Sequence, residues 1–187
     1  MHFSRRADDA ALAAFLQGQG SELSYPEVGA SLGALPPGYR HDAETRVLGS
    51  GSRVFERAVA GLRSWRAHRG AGVRVFPEDA PIEEGTSVAL ALPLLGLSVF
   101  AACRIVSVVS QPGRFGFAYG TLAAHPERGE EAFLVEDHDG EISFRIVAFS
   151  EPADILSRLG SPVARLVQRR VTASYFAALA SFVEHGD

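Results

Sequence analysis

Lysine and asparagine are both missing from the 187 residues, and all 18 basic residues are arginine. Without a lysine amine, pyridoxal phosphate and other Schiff-base chemistry is excluded, and so is the P-loop. The joint absence of asparagine points to biased genome composition rather than selection for the arginine fork. A single cysteine, Cys103, rules out an internal disulfide and an all-cysteine zinc cage. Cys103 sits among aliphatic residues with no histidine beside it in sequence, so it reads as a buried inert thiol rather than a nucleophile. No Ser/His/Asp arrangement, glycine-rich phosphate loop or nucleotide fingerprint occurs, and no cofactor is implied. Net charge is −4 with a pI near 5.9, which gives no global attraction to nucleic acid or acidic membranes.

One long apolar run, VALALPLLGLSVFAACRIVSVV (88 to 109), has the length of a membrane span. Pro93 and Gly96 interrupt it, Arg104 would lie inside it, and Val88, Leu90 and Leu92 alternate with smaller residues. That period of two predicts a pair of buried strands. At the N-terminus, Asp8 and Asp9 follow Arg5 and Arg6 before a short apolar stretch, unlike a signal peptide. The expectation is a cytoplasmic protein that is not integral to a membrane.

Residues 1 to 38 read as an N-terminal extension, a short helix in DDAALAAFLQGQG followed by a proline- and glycine-rich wrap. Residues 39 to 187 read as a single domain. YRHDAETRVLG (39 to 49) suits a strand. SRVFERAVAGLRSWRAHRG places Phe55, Ala58, Val59, Leu62 and Trp65 on one face of a helix, with His68 at its C-terminal end, where an imidazolium suits the helix dipole. From Val73 to Phe149 the period is two, enough for five or six strands. SPVARLVQRRVTASYFAALASFVEH then takes Ser161 as N-cap and Pro162 as first helical residue, with Val163, Val167, Val171, Tyr175, Leu179 and Phe182 along one face. The order strand, helix, antiparallel meander, long helix predicts an α+β helix-grip fold: a curved antiparallel sheet wrapped around its C-terminal helix.

Turn chemistry predicts the strand register. Asp139-Gly140 as a two-residue turn pairs Phe133 with Ile146 and Glu131 with Ala148. Leu95-Gly96 pairs Leu90 with Ala101 and Val88 with Cys103. Gln111-Pro112-Gly113 as a three-residue turn pairs Val109 with Phe115, Ser107 with Phe117, Ile105 with Tyr119 and Cys103 with Thr121. One apolar face results, with Phe115, Phe117, Phe133 and Phe144 on it and few polar members: Ser107, Tyr119, Thr121 and Glu131. The other face, with Ala89, Ala91, Phe100, Ala102 and Val108, is too apolar for solvent. Either the N-terminal segment or a second copy of the chain, as a homodimer, would cover it.

The acid-rich stretch HPERGEE (125 to 131) divides under this register. Glu130 and Glu131 are adjacent in a strand and point to opposite faces, so they are no paired acid and base. His125, Glu127 and Arg128 belong to a loop. His125 with Glu127 and Glu130 matches no established metal spacing, and no metal is expected; a loop histidine bonded to a neighbouring acid suffices. Glu131, next to Phe133, Val135 and Phe144, would be desolvated with a raised pKa, which suits a general acid, a base or a ligand anchor. A structural ion pair with an arginine of the last helix, or a hydrogen bond to Tyr119 or Thr121, is the plainer explanation and carries more weight.

LSYPEVGASLGALPPGYRH, LRSWRAHRGAGVRVFPEDAPIEEGT and FAYGTLAAHPERGEEAF together resemble the family designated domain of unknown function nineteen-ninety, over nearly the whole chain beyond the first helix. The resemblance implies no reaction. It marks Tyr25, Trp65, His68, His125, Glu127, Glu130 and Glu131 as motif residues. More distantly, the order of elements is similar to the START-like superfamily of polyketide cyclases, lipid carriers and Bet v 1-type proteins, which implies an apolar ligand between sheet and last helix. The reading is therefore a protein that binds a small hydrophobic or amphipathic molecule, such as a lipid, isoprenoid or polyketide. Phe115, Phe117, Phe133 and Phe144 would line its cleft, and Tyr119, Thr121 and Glu131 would form a polar end. A cofactor-free cyclase, hydratase or hydrolase using Glu131, and a dimerisation or partner-binding module, are the alternatives.

Overall fold

Tight turns build the sheet. In the computed structural model, which describes residues 2–5, 7–153 and 161–186, Leu95 and Gly96 both have positive φ (50° and 79°), as do Asp139 and Gly140 (52° and 93°). These are the two-residue turns whose twist matches paired strands. They join β4 (Ser87–Leu94) to β5 (Leu97–Gln111) and β7 (Glu127–His138) to β8 (Glu141–Pro152), with β6 (Arg114–Thr121) between. Every pair predicted across these two turns is present.

The third turn differs. Gln111 pairs with Arg114, so Pro112 and Gly113 alone form the loop, and one extra residue at Val106 bulges out of β5. Gly113 has φ 70°, the conformation that the second central position of a type II turn requires. The bulge restores the predicted pairs Ile105–Tyr119 and Cys103–Thr121, whereas Phe117 faces Val108 rather than Ser107 and Phe115 faces Ser110 rather than Val109. Val108, expected on the outer face, packs against the inner core in the place expected for Ser107.

The remaining strands are β1 (His2–Ser4), β2 (Arg40–Ser50) and β3 (Arg74–Phe76). The sheet runs β2-β8-β7-β6-β5-β4-β3, and β1 pairs with β5 beyond the end of β6. The helices are α1 (Asp9–Gln17), α2 (Ser52–Arg63), α3 (Arg66–Gly70) and the long α4 (Ser161–His185), with a short 3-10 turn at Ala30–Leu32. This is the expected α+β helix-grip arrangement, and α4 buries Tyr175, Phe176, Leu179 and Val183 against the sheet and against α2 and α3. A Cβ at Gly61 would lie 2.6 Å from Leu179, and one at Gly70 2.6 Å from the Ala178 methyl, so glycine sets how closely α2 and α3 approach α4. The capping expected of Ser161 and the inward position expected of Val163 concern side chains outside the described residues.

One predicted helix is two. Trp65 adopts a left-handed conformation (φ 57°) and breaks the segment. The break re-aims α3: His68, expected as a charged cap at a helix end, is 1% exposed inside the core. On the outer face, Leu12 and Phe15 of α1 pack on Ala89, Ala91, Phe100 and Ala102, so the N-terminal segment, one of the two expected covers, lies there. The apolar run 88 to 109 forms β4 and β5, and among the described residues no helix is long and apolar enough to cross a membrane.

Candidate functional site

The space between sheet and α4 has a filled end and an open end. Phe117, Phe133 and Phe144 are fully buried; Phe133 lies between the other two, with ring centroids at 5.3 and 6.4 Å, and Phe176 closes on Phe144 at 5.0 Å. Phe115 is buried as well, beneath the Arg63 guanidinium at 4.4 Å. None of these four phenylalanines is among the residues lining the cavity at the open end, although all four were expected to line the cleft; Phe117, Phe133 and Phe144 pack on one another instead. The open end lies towards β3 and β4, where Val73, Leu90, Leu92, Ala101 and Val171 surround a cavity of about 600 Å³. This volume lies within the range that holds small organic ligands.

Glu131 stands at the polar end of the cavity, brought there by its pairing with Tyr119 and Ala148. The Tyr119 hydroxyl donates to Glu131 Oε2 at 2.8 Å. That leaves the phenol oxygen to accept from His68 Nε2 at 3.3 Å, which places the histidine proton on Nε2. Among the described residues, the second Glu131 oxygen has no hydrogen-bond partner. Burial pushes the Glu131 carboxyl up to about 7; the Tyr119 hydrogen bond opposes this, and the Glu127 and Asp42 charges add to it. Burial pushes His68 down to about 3, so it is neutral. The Tyr119 and Tyr175 hydroxyls and the Cys103 thiol are all pushed up by burial and then by the Glu131 charge, and they keep their protons. In this cluster, Glu131 is the group that exchanges a proton near neutral pH.

The other motif residues lie elsewhere. Glu130 is 3% exposed on the opposite face. Its carboxylate accepts from Tyr25 Oη (2.6 Å), Gly29 N (2.7 Å) and Ser31 N (2.9 Å), and also from Ser31 Oγ. A Cβ at position 120 would come within 2.2 Å of Tyr25 Oη, so only glycine lets the wrap seat there. Glu127 and Arg128, expected in a loop, begin β7. His125 Nδ1 accepts from the Glu127 backbone N–H at 3.0 Å rather than bonding a neighbouring carboxylate, and burial pushes it down to about 4. Trp65 Nε1 donates to the Ala80 carbonyl at 2.8 Å and its ring meets Phe117. Thr121 borders the cavity as expected, but its hydroxyl is engaged by Gly129 N (3.0 Å) and Ser24 Oγ (2.6 Å). Two members of this cluster were not expected beside Glu131: His68, marked as a motif residue but misplaced by the unseen helix break, and Tyr175, whose i, i+4 spacing signalled only that it faced inwards.

Fold and cavity together define a helix-grip protein with a partly polar cleft under its last helix. The family model described as "Domain of unknown function (DUF1990)" matches residues 24–178, and the chain belongs to that family. A UPF0548 protein of Deinococcus radiodurans is 34% identical over 164 residues, 81% of this chain and 83% of that one. UPF0548 proteins of Dictyostelium discoideum and Arabidopsis thaliana are 34% and 32% identical, over 66% of this chain and 63% of theirs. Among solved structures, a hypothetical protein of Helicobacter pylori is similar with a TM-score of 0.58 at 10% identity, covering 87% of this chain and 96% of that one. The Zhui aromatase/cyclase from Streptomyces sp. R1128 is similar with a TM-score of 0.57 at 13% identity, covering 78% and 94%. At these identities the likeness establishes the fold.

Proposed function

We propose that this protein binds a small hydrophobic or amphipathic molecule in the cavity between the sheet and α4, with the polar end of the ligand at Glu131. The observation that carries this reading is the 600 Å³ cavity itself, walled by aliphatic side chains and ending at a carboxylate with one oxygen free. A fully packed interior would need neither. Gentle purification followed by native mass spectrometry should reveal a bound species, and a panel of apolar compounds should raise the melting temperature. Ala101→Trp, which fills the cavity, should abolish the shift while the apo protein stays folded. No bound species and no shift from any compound would end this reading.

A specific observation favours a second reading, cofactor-free acid–base catalysis of the cyclase, hydratase or hydrolase kind. Glu131 exchanges its proton near neutral pH and is held in place by Tyr119. Under that reading, Glu131→Gln keeps ligand affinity and loses turnover. With the outer face occupied by α1, no observation favours the homodimer reading.

A further inference from the structure

The charged groups around the cavity are unequal in sign. Among the described residues that border it, the acids are Glu127, Glu130 and Glu131, and the one cation is Arg40. Arg40 is already claimed: its Nε lies 3.0 Å from Asp42, and its Nη2 lies 3.4 Å from Glu127 and 3.0 Å from Ser150 Oγ. Glu130 is satisfied by its own donors on the far face. Of these three acids, Glu131 is the one with an oxygen that accepts no hydrogen bond and with no cationic partner among the described residues. The two groups bonded in line with it have no donor left for an incoming anion, because the Tyr119 O–H is spent on Glu131 and the His68 N–H on Tyr119.

We propose that the ligand is an amphipathic amine: an apolar chain or ring system ending in a protonated nitrogen, which the free oxygen of Glu131 receives. This inference rests on the cavity being a binding site and adds the class of ligand. An ammonium would supply the opposite charge that the carboxylate lacks, whereas a fatty acid would place two carboxylates together. The rings of Tyr119 and Tyr175 border the same cavity and add aromatic surface of the kind that attracts ammonium groups.

Binding should release protons. Facing Glu131 from the sheet are Tyr119, Cys103 and the neighbouring charges of Glu127 and Asp42; from the helices they are His68 and Tyr175. The adjoining cleft, which Glu131 also borders, is lined as well by Arg40, His41, Asp42, Glu44 and the exposed Arg169. With Glu131 titrating at about 7, an ammonium that fixes it as carboxylate at pH 7 should expel about half a proton per ligand.

The test is calorimetry at pH 7 with decylamine, decanol and decanoate, below their aggregation limits, in two buffers of different ionisation enthalpy. The expectation is that decylamine binds about tenfold or more tightly than the other two, with proton release seen only for the amine. Glu131→Gln should lose that advantage yet still bind decanol, which also shows that the variant is folded. If decanol or decanoate matches the amine on the native protein, or if Glu131→Gln leaves the amine unaffected, the ligand class is wrong while the cavity remains a binding site. If none of the three binds and none shifts the melting temperature, the cavity reading fails and takes this inference with it.

Discussion

Glu130 and Glu131 are neighbours on one strand and present their carboxylates to opposite faces of one sheet, so they form a natural pair for comparison. Glu130 is the more buried of the two, yet its charge is surrounded by oriented donors from Tyr25, Gly29 and Ser31. Glu131 has one donor and an open cavity. Burial alone therefore does not decide what a carboxylate does. Where the protein replaces the lost water with N–H and O–H groups, the acid becomes a fastening; where it does not, the acid holds a proton near neutral pH.

The largest expected effect would break the fastened side. Glu130→Ala leaves the Tyr25 and Ser31 hydroxyls and two backbone N–H groups without their acceptor, and should lower unfolding stability by about 3–5 kcal/mol. Urea denaturation measures it, and a loss below about 1 kcal/mol would mean that the wrap is held by other contacts. Next in size, and opposite in sign, is Glu131→Gln. A carboxyl whose folded pKa is raised contributes stability that is full below its unfolded value and is lost as pH rises through the folded one. The window here runs from about 4.5 to about 7. Gln removes that loss, so the variant should be more stable than native by on the order of 2–3 kcal/mol at pH 8 and equal to it at pH 4. His68 acts in the opposite direction: neutral when folded, it withdraws stability as pH falls from 6.5 towards 3. Across pH 4.5 to 6.5 the two slopes oppose each other and nearly cancel, so Glu131→Gln should unmask the His68 contribution, and the variant's stability should climb with pH through that window.

The sequence carried one side of the comparison better than the other. Asp139-Gly140 and Leu95-Gly96 set register through local backbone conformation, so the inward position of Glu131 followed from pairing rules, whereas Tyr119 was only one of several partners open to it. The inverse position of Glu130 followed too, but its partners did not: Tyr25 and Ser31 lie about a hundred residues away in a segment with no periodicity. The bulge at Val106 escaped because the shorter Pro112-Gly113 loop offset it, leaving the pairs at the base of the hairpin correct. Phe115, Phe117, Phe133 and Phe144 were rightly placed inward, yet which part of an inner face stays open depends on what packs against it. The left-handed turn at Trp65, which brings α3 over those rings, has no glycine or proline to announce it. That same turn concealed His68.

The smallest effect sharpens the comparison most. Tyr119→Phe removes the single donor that Glu131 has, making it fully unlike Glu130, and deprives the His68 Nε2–H of its acceptor. The Tyr119 hydrogen bond is the main influence holding the carboxyl down, so its loss should raise the pKa further, by about one unit. Stability should fall by only ~1 kcal/mol. Carbon-13 NMR titration of the glutamate side-chain carboxyl reads the shift directly, with Glu131→Gln identifying the resonance. An unmoved pKa would mean that another donor, water included, reaches Glu131 through the cavity. The two faces of β7 would then differ in where the donors come from, protein on one side and solvent on the other, rather than in how many there are.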